Sequence, residues 1–188
     1  YPNGIIHGYL LNFPSFRDGV ALGPYVRKKF GIPVYKNNDG DLFAYGEALG
    51  GALPEINERL EMAGSTKRYR NMLGYVFGDG FGVGMIVNGM LNRGDNSCIE
   101  MFSMPYLGHE GVFAEEGASI RAVKRVYGEL SGNPDHGLEP LQIFQIAEGQ
   151  LEGDMEAAKG AFAQMGKVFG DTIAMTVSIT DGLVVIGG

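Results

Sequence analysis

Between Met72 and Leu91 the chain alternates apolar runs with glycine clusters, and this pattern predicts a β-meander. Met72-Leu73-Gly74-Tyr75-Val76-Phe77 reads as a strand, Gly78 to Gly84 as a glycine-rich corner, and Met85-Ile86-Val87 as a second strand. Asn88-Gly89 is a two-residue hairpin turn, and Met90-Leu91 begins a third strand. Upstream, Ala21 to Phe30 predicts a short amphipathic helix closed by Gly31, and Ile32-Pro33-Val34-Tyr35 a short strand with Pro at its start. From Leu42, apolar residues at Leu42, Tyr45, Leu49, Ala52, Ile56 and Leu60 advance by threes and fours, as in a helix. Gly50-Gly51 and Pro54 predict a kink or restart in it. Residues 64–68 read as a loop and residues 94–112 as irregular.

Downstream, Glu115 to Leu130 predicts a helix with Ile120, Val123, Val126 and Tyr127 on one face. Leu141 to Ala147 predicts a short helix, and Asp154 to Ile179 a long one with a stripe of Met155, Ala158, Phe162, Met165, Phe169, Ile173 and Val177. Gly160, Ala163, Gly166 and Gly170 suit close packing on a neighbouring element. Asp181-Gly182 is a turn, and Leu183 to Ile186 a buried strand running into Gly187-Gly188.

Between the predicted strand at 32–35 and the helix from Leu42 stand five polar or glycine residues, Asn37-Asn38-Asp39-Gly40-Asp41. Open α/β sheets place ligands where a strand gives way to a helix, so Asp39 could serve there as a general base, with Asn38 and Asp41 as hydrogen-bonding neighbours. On spacing alone the simpler reading is favoured, in which the same residues satisfy a turn and cap the helix.

Composition narrows the classes. Charged residues at 20% and apolar residues at 45% are ordinary for a soluble globular protein. The net charge of −7, with no basic run longer than Arg27-Lys28-Lys29, argues against nucleic acid as a partner of this segment. No apolar run approaches a membrane span. A lone cysteine, Cys98, excludes an internal disulfide and a multi-cysteine metal site, and fits a reducing, cytoplasmic setting. His7, His109 and His136 are far apart in sequence and read as surface or structural residues. The chain starts at Tyr1 and ends directly after a predicted strand, so it reads as a segment of a longer protein.

Gly78-Asp79-Gly80-Phe81-Gly82-Val83-Gly84 between two strands can present several backbone N–H groups to phosphate oxygens. It is neither a Walker loop nor a Rossmann fingerprint, and a tight packed hairpin explains it equally well. Together with the Asn-Asp turn and the Gly-Gly strand end, it resembles the sugar kinases of the repressor, open-reading-frame, kinase (ROK) family, within the actin-like ATPase superfamily. Asn37-Asn38-Asp39-Gly40-Asp41 through Gly46-Glu47 resembles that family's Glu-Asn-Asp-Ala-Asn…Gly-Glu segment. Leu73 to Gly94 resembles its second phosphate motif, and Asp181 to Gly188 its adenosine motif.

The resemblance implies an α/β, actin-like (ribonuclease H-like) fold with mixed sheets, flanking helices and two lobes around a cleft. Residues 1–66 would end the N-terminal lobe, and 67–188 would form an incomplete nucleotide-binding lobe, with a hinge near 64–70. It implies phosphoryl transfer from ATP, with Mg²⁺, to a hexose hydroxyl, most simply the 6-hydroxyl of a glucose-like sugar, or to an N-acetylated aminosugar. Asp39 would be the base, and Asn38, Asp39, Glu100, Ser103 and Glu115 would contact the sugar. Gly78, Asp79, Gly80 and Gly82 would face the phosphates, and Gly187 and Gly188 the adenine. A homodimer is compatible with the resemblance.

Four departures from the family pattern stand out. Asp79 replaces the usual Thr. Ser103 stands where a sugar-binding and zinc-binding His is usual. The cysteine-rich zinc loop is missing, so no zinc is expected. The first phosphate motif lies outside the chain. Asp79 and Ser103 favour the competing expectation, a non-catalytic sugar-binding or sugar-responsive regulator.

Overall fold

A computed structural model of the chain describes residues 19–95, 99–101 and 103–188. Residues 1–18, with His7 among them, and Cys98 lie outside the described residues. The chain forms two compact units, one up to Asp39 and one from Gly40 to Gly188. The predicted two-lobe boundary near 64–70 lies within the second unit and remains an expectation.

In the first unit, α1 (Leu22–Phe30) ends where the sequence places its stop. Gly31 adopts φ 68°, and its N–H closes the last turn on the Arg27 carbonyl. A glycine is suited to that left-handed position because it has no Cβ to clash. The strand expected at Ile32–Tyr35 does not form: Ile32 is in a bend and residues 33–38 have no regular secondary structure. Pro33 offers no N–H for a ladder, and Tyr35 is 92% exposed, so neither pairing nor burial favours a strand there.

The second unit is built on a sheet of order β3-β2-β1-β4, formed by β1 (Met72–Phe77), β2 (Phe81–Val87), β3 (Met90–Asn92) and β4 (Leu183–Gly187). The first three strands are an antiparallel meander, and β4 lies parallel to β1. Asn88 and Gly89, with φ 52° and 79°, make the expected hairpin turn. The second strand starts four residues earlier than predicted, at Phe81. What reads as a glycine corner of seven residues is a three-residue corner, Gly78–Gly80, followed by strand.

Register divides the strand residues between two faces. Leu73, Tyr75, Phe77, Phe81, Val83 and Val184 face the core beneath α7 (Met155–Thr180). There the Phe169 ring meets Tyr75, Phe77 and Phe81 edge-on at 5.1, 4.6 and 5.9 Å between centroids. The buried Tyr75 hydroxyl hydrogen-bonds Thr176, whose own hydroxyl donates to the Thr172 carbonyl. On the other face, Met72, Ile86, Leu183 and Val185 pack with Ala44 and Leu53 of α2 (Asp39–Gly50) and α3 (Ala52–Met62).

The helix pair corrects the predicted apolar stripe. It breaks at Gly51, as expected, and the Glu47 carboxylate accepts the Ala52 N–H to cap the new helix. Leu42 and Leu49, however, are 55% and 64% exposed, whereas Gly40 and Ala44 are buried. The sheet beneath has glycines facing α2, and close approach selects small residues over large ones. Helix α2 also starts at Asp39, three residues before the prediction, so the polar cluster supplies its first turn.

The predicted helix from Glu115 is two: α4 (Glu115–Ala118) and α5 (Ile120–Ser131), broken at an extended Ser119. Val123, Val126 and Tyr127 are buried against α6 (Pro140–Ala147) and the first turns of α7. The expected α7 stripe falls on the buried side from Ala158 to Val177, but Met155 is exposed, and Ala157, Ala158, Ala161, Val168, Thr172 and Thr176 form the buried centre. Gly160 does allow a close approach, to Leu130, while Gly166 and Gly170 face open space rather than a neighbour. β4 is half-buried, at the edge of the described sheet.

Candidate active site

The corner Gly78–Gly80 joins β1 to β2 at the carboxyl end of β1, and parallel β4 ends beside it. Crevices at the carboxyl ends of parallel strands are where α/β sheets bind ligands. A Cβ on Gly188 would collide with the Phe77 backbone, and one on Gly187 would stand 2.6 Å from the Phe43 ring. Gly187 and Gly188 are therefore brought next to the corner.

Within the corner the N–H groups are divided. Gly78 donates to the Gly80 carbonyl at 3.1 Å, and Phe81 donates to Glu115 Oε2 at 3.0 Å. The Ile120 N–H, at the start of α5, donates to the Gly78 carbonyl at 3.2 Å. The corner is thus fastened on both sides, to the start of α4 through Glu115 and to the start of α5 through Ile120. A Cβ on Gly78 would meet nothing within 4 Å, so this side is open to an approaching group, whereas one on Gly80 would stand 2.8 Å from Glu115 Oε2. The Asp79 side chain is at the exposed tip.

Glu115, which the resemblance assigns to the sugar, lies beside the corner. Its other oxygen, Oε1, accepts from Arg121 at 2.9 Å, and Arg121 also comes within 3.7 Å of Glu116. Sequence reasoning missed Arg121. The spacing Glu115-to-Arg121 is six residues, outside the three or four expected along one helix, and only the break at Ser119 brings the two together. The Ser119 hydroxyl at that break is 1% exposed and lacks a hydrogen-bond partner among the described residues.

Gly82 lies in β2 rather than in the corner, and it shares with Gly74 and Gly84 the sheet face under α2. Asp41, in the first turn of α2, is half-buried, and that burial raises its carboxyl above the usual carboxylate range, with the Arg93 charge pulling it back down. Asn38 and Asp39 close the first unit, Asp39 as the exposed first residue of α2. Glu100 is half-buried in the second unit.

Ser103 is exposed and lines an open hollow of about 520 Å³ together with residues 105–113. Its walls are held by backbone bonds, Tyr106 to Val112 and Ala114 to Met104, and by the Tyr106 ring against His109 at 4.1 Å. His136 is fixed between the Lys124 carbonyl and the Leu138 N–H, a structural role. Among the described residues no group of three or more His, Cys, Asp or Glu side chains could hold a metal ion. No helix among them is long and apolar enough to cross a membrane.

The fold has counterparts in known proteins. A glucokinase from Parabacteroides distasonis ATCC 8503 is 53% identical, with a TM-score of 0.89 over 100% of this chain and 53% of its own. A ROK family glucokinase from Streptomyces griseus, solved with glucose and AMPPNP, shares the fold at 21% identity and TM-score 0.65, over 89% of this chain and 56% of its own. The DNA-binding transcriptional repressor Mlc of Escherichia coli (strain K12) is 25% identical over 94% of this chain and 42% of its own length. The chain thus spans about half the length of these relatives. The architecture is the α/β, actin-like fold of ROK sugar kinases. The profile of the ROK family matches residues 7–188, and the chain belongs to that family.

Proposed function

We propose that the protein containing this chain is an ATP-dependent sugar kinase that phosphorylates a hexose, glucose-like and at its 6-hydroxyl. The observation that carries this reading is the 53% identity, over the whole chain, with a protein described as a glucokinase. The corner supports it: Gly78 leaves space for phosphate oxygens, and the ends of β1 and β4 converge beside it.

ATP supplies the phosphoryl group, with Mg²⁺ held largely by the nucleotide's own oxygens. In this reading Asn38 and Asp39 orient the sugar, and Asp39 takes the hydroxyl proton as that oxygen bonds the γ-phosphorus. The bond from the γ-phosphorus to its bridging oxygen breaks, and ADP leaves with the electron pair. Glu100, Ser103 and Glu115 would complete the sugar's hydrogen bonds. In the same reading Gly78 and Gly80 face the phosphates with Asp79 at the tip of their corner, Gly187 and Gly188 lie by the adenine, and Gly82, which faces α2 from within β2, has no part in the nucleotide site. A cytoplasmic setting and a homodimer belong to the same reading.

An ADP-release assay on the full-length protein, with MgATP and a panel of hexoses and N-acetylated aminosugars, tests it. Turnover on one sugar is expected to fall at least about a hundredfold in Asp39→Asn while sugar binding persists, the scale of a lost general base. Sugar binding without turnover on any sugar would instead support a sugar-responsive regulator. Asp79, Ser103 and the 25% identity with a repressor favour that second reading.

A further inference from the structure

We infer that Arg121 is a positioning residue for nucleotide binding: it acts on the corner through Glu115 rather than by touching phosphate. The inference rests on the kinase reading for its link to nucleotide, and on geometry for its link to the corner. Glu115 uses its two oxygens in different directions, Oε2 to the Phe81 N–H at 3.0 Å and Oε1 to Arg121 at 2.9 Å. A carboxylate so divided holds its orientation only while both partners remain. Gly80 leaves room for it, since a Cβ there would stand 2.8 Å from Oε2.

Charge gives Arg121 a second effect. Glu115 and Asp79 place two carboxylates at a corner that, in the kinase reading, meets a polyphosphate, and Glu116 adds a third beside Arg121. Arg121 contacts two of them, so it offsets negative charge where phosphate would otherwise be repelled. Removing it would free Glu115 to swing toward the open side of Gly78 and leave the Phe81 N–H without its acceptor. The consequence is weaker nucleotide binding and, because the kinase reading also gives Glu115 to the sugar, a raised sugar KM, while the proton transfer assigned to Asp39 is left in place.

The test compares wild type, Arg121→Ala and Arg121→Lys in the full-length protein. Three readouts are taken: hydrogen exchange at the Phe81 amide, MgADP affinity by calorimetry, and separate KM and kcat values for MgATP and sugar. Arg121→Ala is expected to speed Phe81 exchange and to weaken MgADP binding and raise the MgATP KM by about fivefold, the scale of one partly exposed ion pair. Its kcat should change less than about twofold, and Arg121→Lys should recover most of the loss because it restores the charge. Unchanged Phe81 exchange, or a loss confined to kcat, would overturn the inference. So would equal defects in Arg121→Lys and Arg121→Ala at unchanged thermal stability. If the wild type turns over no sugar, the kinase reading fails by itself, and the exchange and MgADP arms still decide the role of Arg121.

Discussion

Ala44 stands over Gly84 so closely that a Cβ on Gly84 would lie 2.5 Å from the Ala44 Cβ, and nearer still to the Gly40 carbonyl. Gly74, paired with Gly84 across β1 and β2, meets the same helix: a Cβ there would stand 2.9 Å from Ala44. The two glycines thin the sheet where α2 crosses it. Gly84→Ala should therefore cost about 1–3 kcal/mol, the usual penalty of overpacking, measured as a lowered urea midpoint with an unchanged slope. A neutral result would mean that α2 is free to lift from the sheet.

The opposite outcome is expected on α7. Gly166 and Gly170 are helical, and a Cβ on either meets nothing within 4 Å. Gly166→Ala and Gly170→Ala should each stabilise the fold by about 0.5–1 kcal/mol, because alanine loses less backbone entropy in a helix. Thermal unfolding of the single and double variants checks both the sign and the additivity.

Tyr75 sets a limit at high pH. Its burial raises the phenol above its ordinary value, partly offset by the hydrogen bond to Thr176. A raised folded-state pKa means that the stabilisation is fully present below the unfolded value of 10.0 and is lost as pH climbs through the folded one. Unfolding free energy should fall above about pH 10 in the wild type and fall less in Tyr75→Phe. At pH 7 the variant should be about 1 kcal/mol less stable through loss of one buried hydrogen bond. Denaturation midpoints measured from pH 7 to 11 would separate the two effects.

Asp79 is expected to weaken nucleotide binding by charge. Asp79→Thr should tighten MgADP by about threefold to fivefold at low salt, the scale of one like-charge contact across water. The gain should shrink at 0.5 M salt, where screening leaves little of a surface interaction. A loss of affinity on removing Asp79 would show that its carboxylate contributes to holding the metal–nucleotide complex.

What the sequence made legible was mostly what short-range rules govern. The Asn88-Gly89 turn, the Gly31 stop and the restart at Gly51 each follow from one or two residues with restricted backbone options. The misreadings came from tertiary packing. Leu42 and Leu49 are spaced like a buried stripe but face outward, because the sheet under α2 accepts only small residues. Phe81-Gly82-Val83-Gly84 read as loop because glycine signals turns. Yet its strict alternation, large residues on one side and glycines on the other, is a strand signal that glycine content obscured. At the site, the corner and the Gly187-Gly188 end were legible as motifs. The Arg121–Glu115 contact was not, since it depends on a helix break at Ser119.

The parallel pairing of β4 with β1 also sets a timetable for synthesis. About 110 residues separate Met72 from its partner Leu183, and translation at about 5–20 residues per second takes roughly 6–20 s to deliver them. Through that interval β1 has a hairpin neighbour on one side and an open edge on the other, with Leu73 and Tyr75 still lacking the α7 layer that buries them. The nascent chain therefore passes through a sticky stage in every round of translation, so slow codons or scarce chaperones between these strands would lower the yield of soluble protein without altering a single residue.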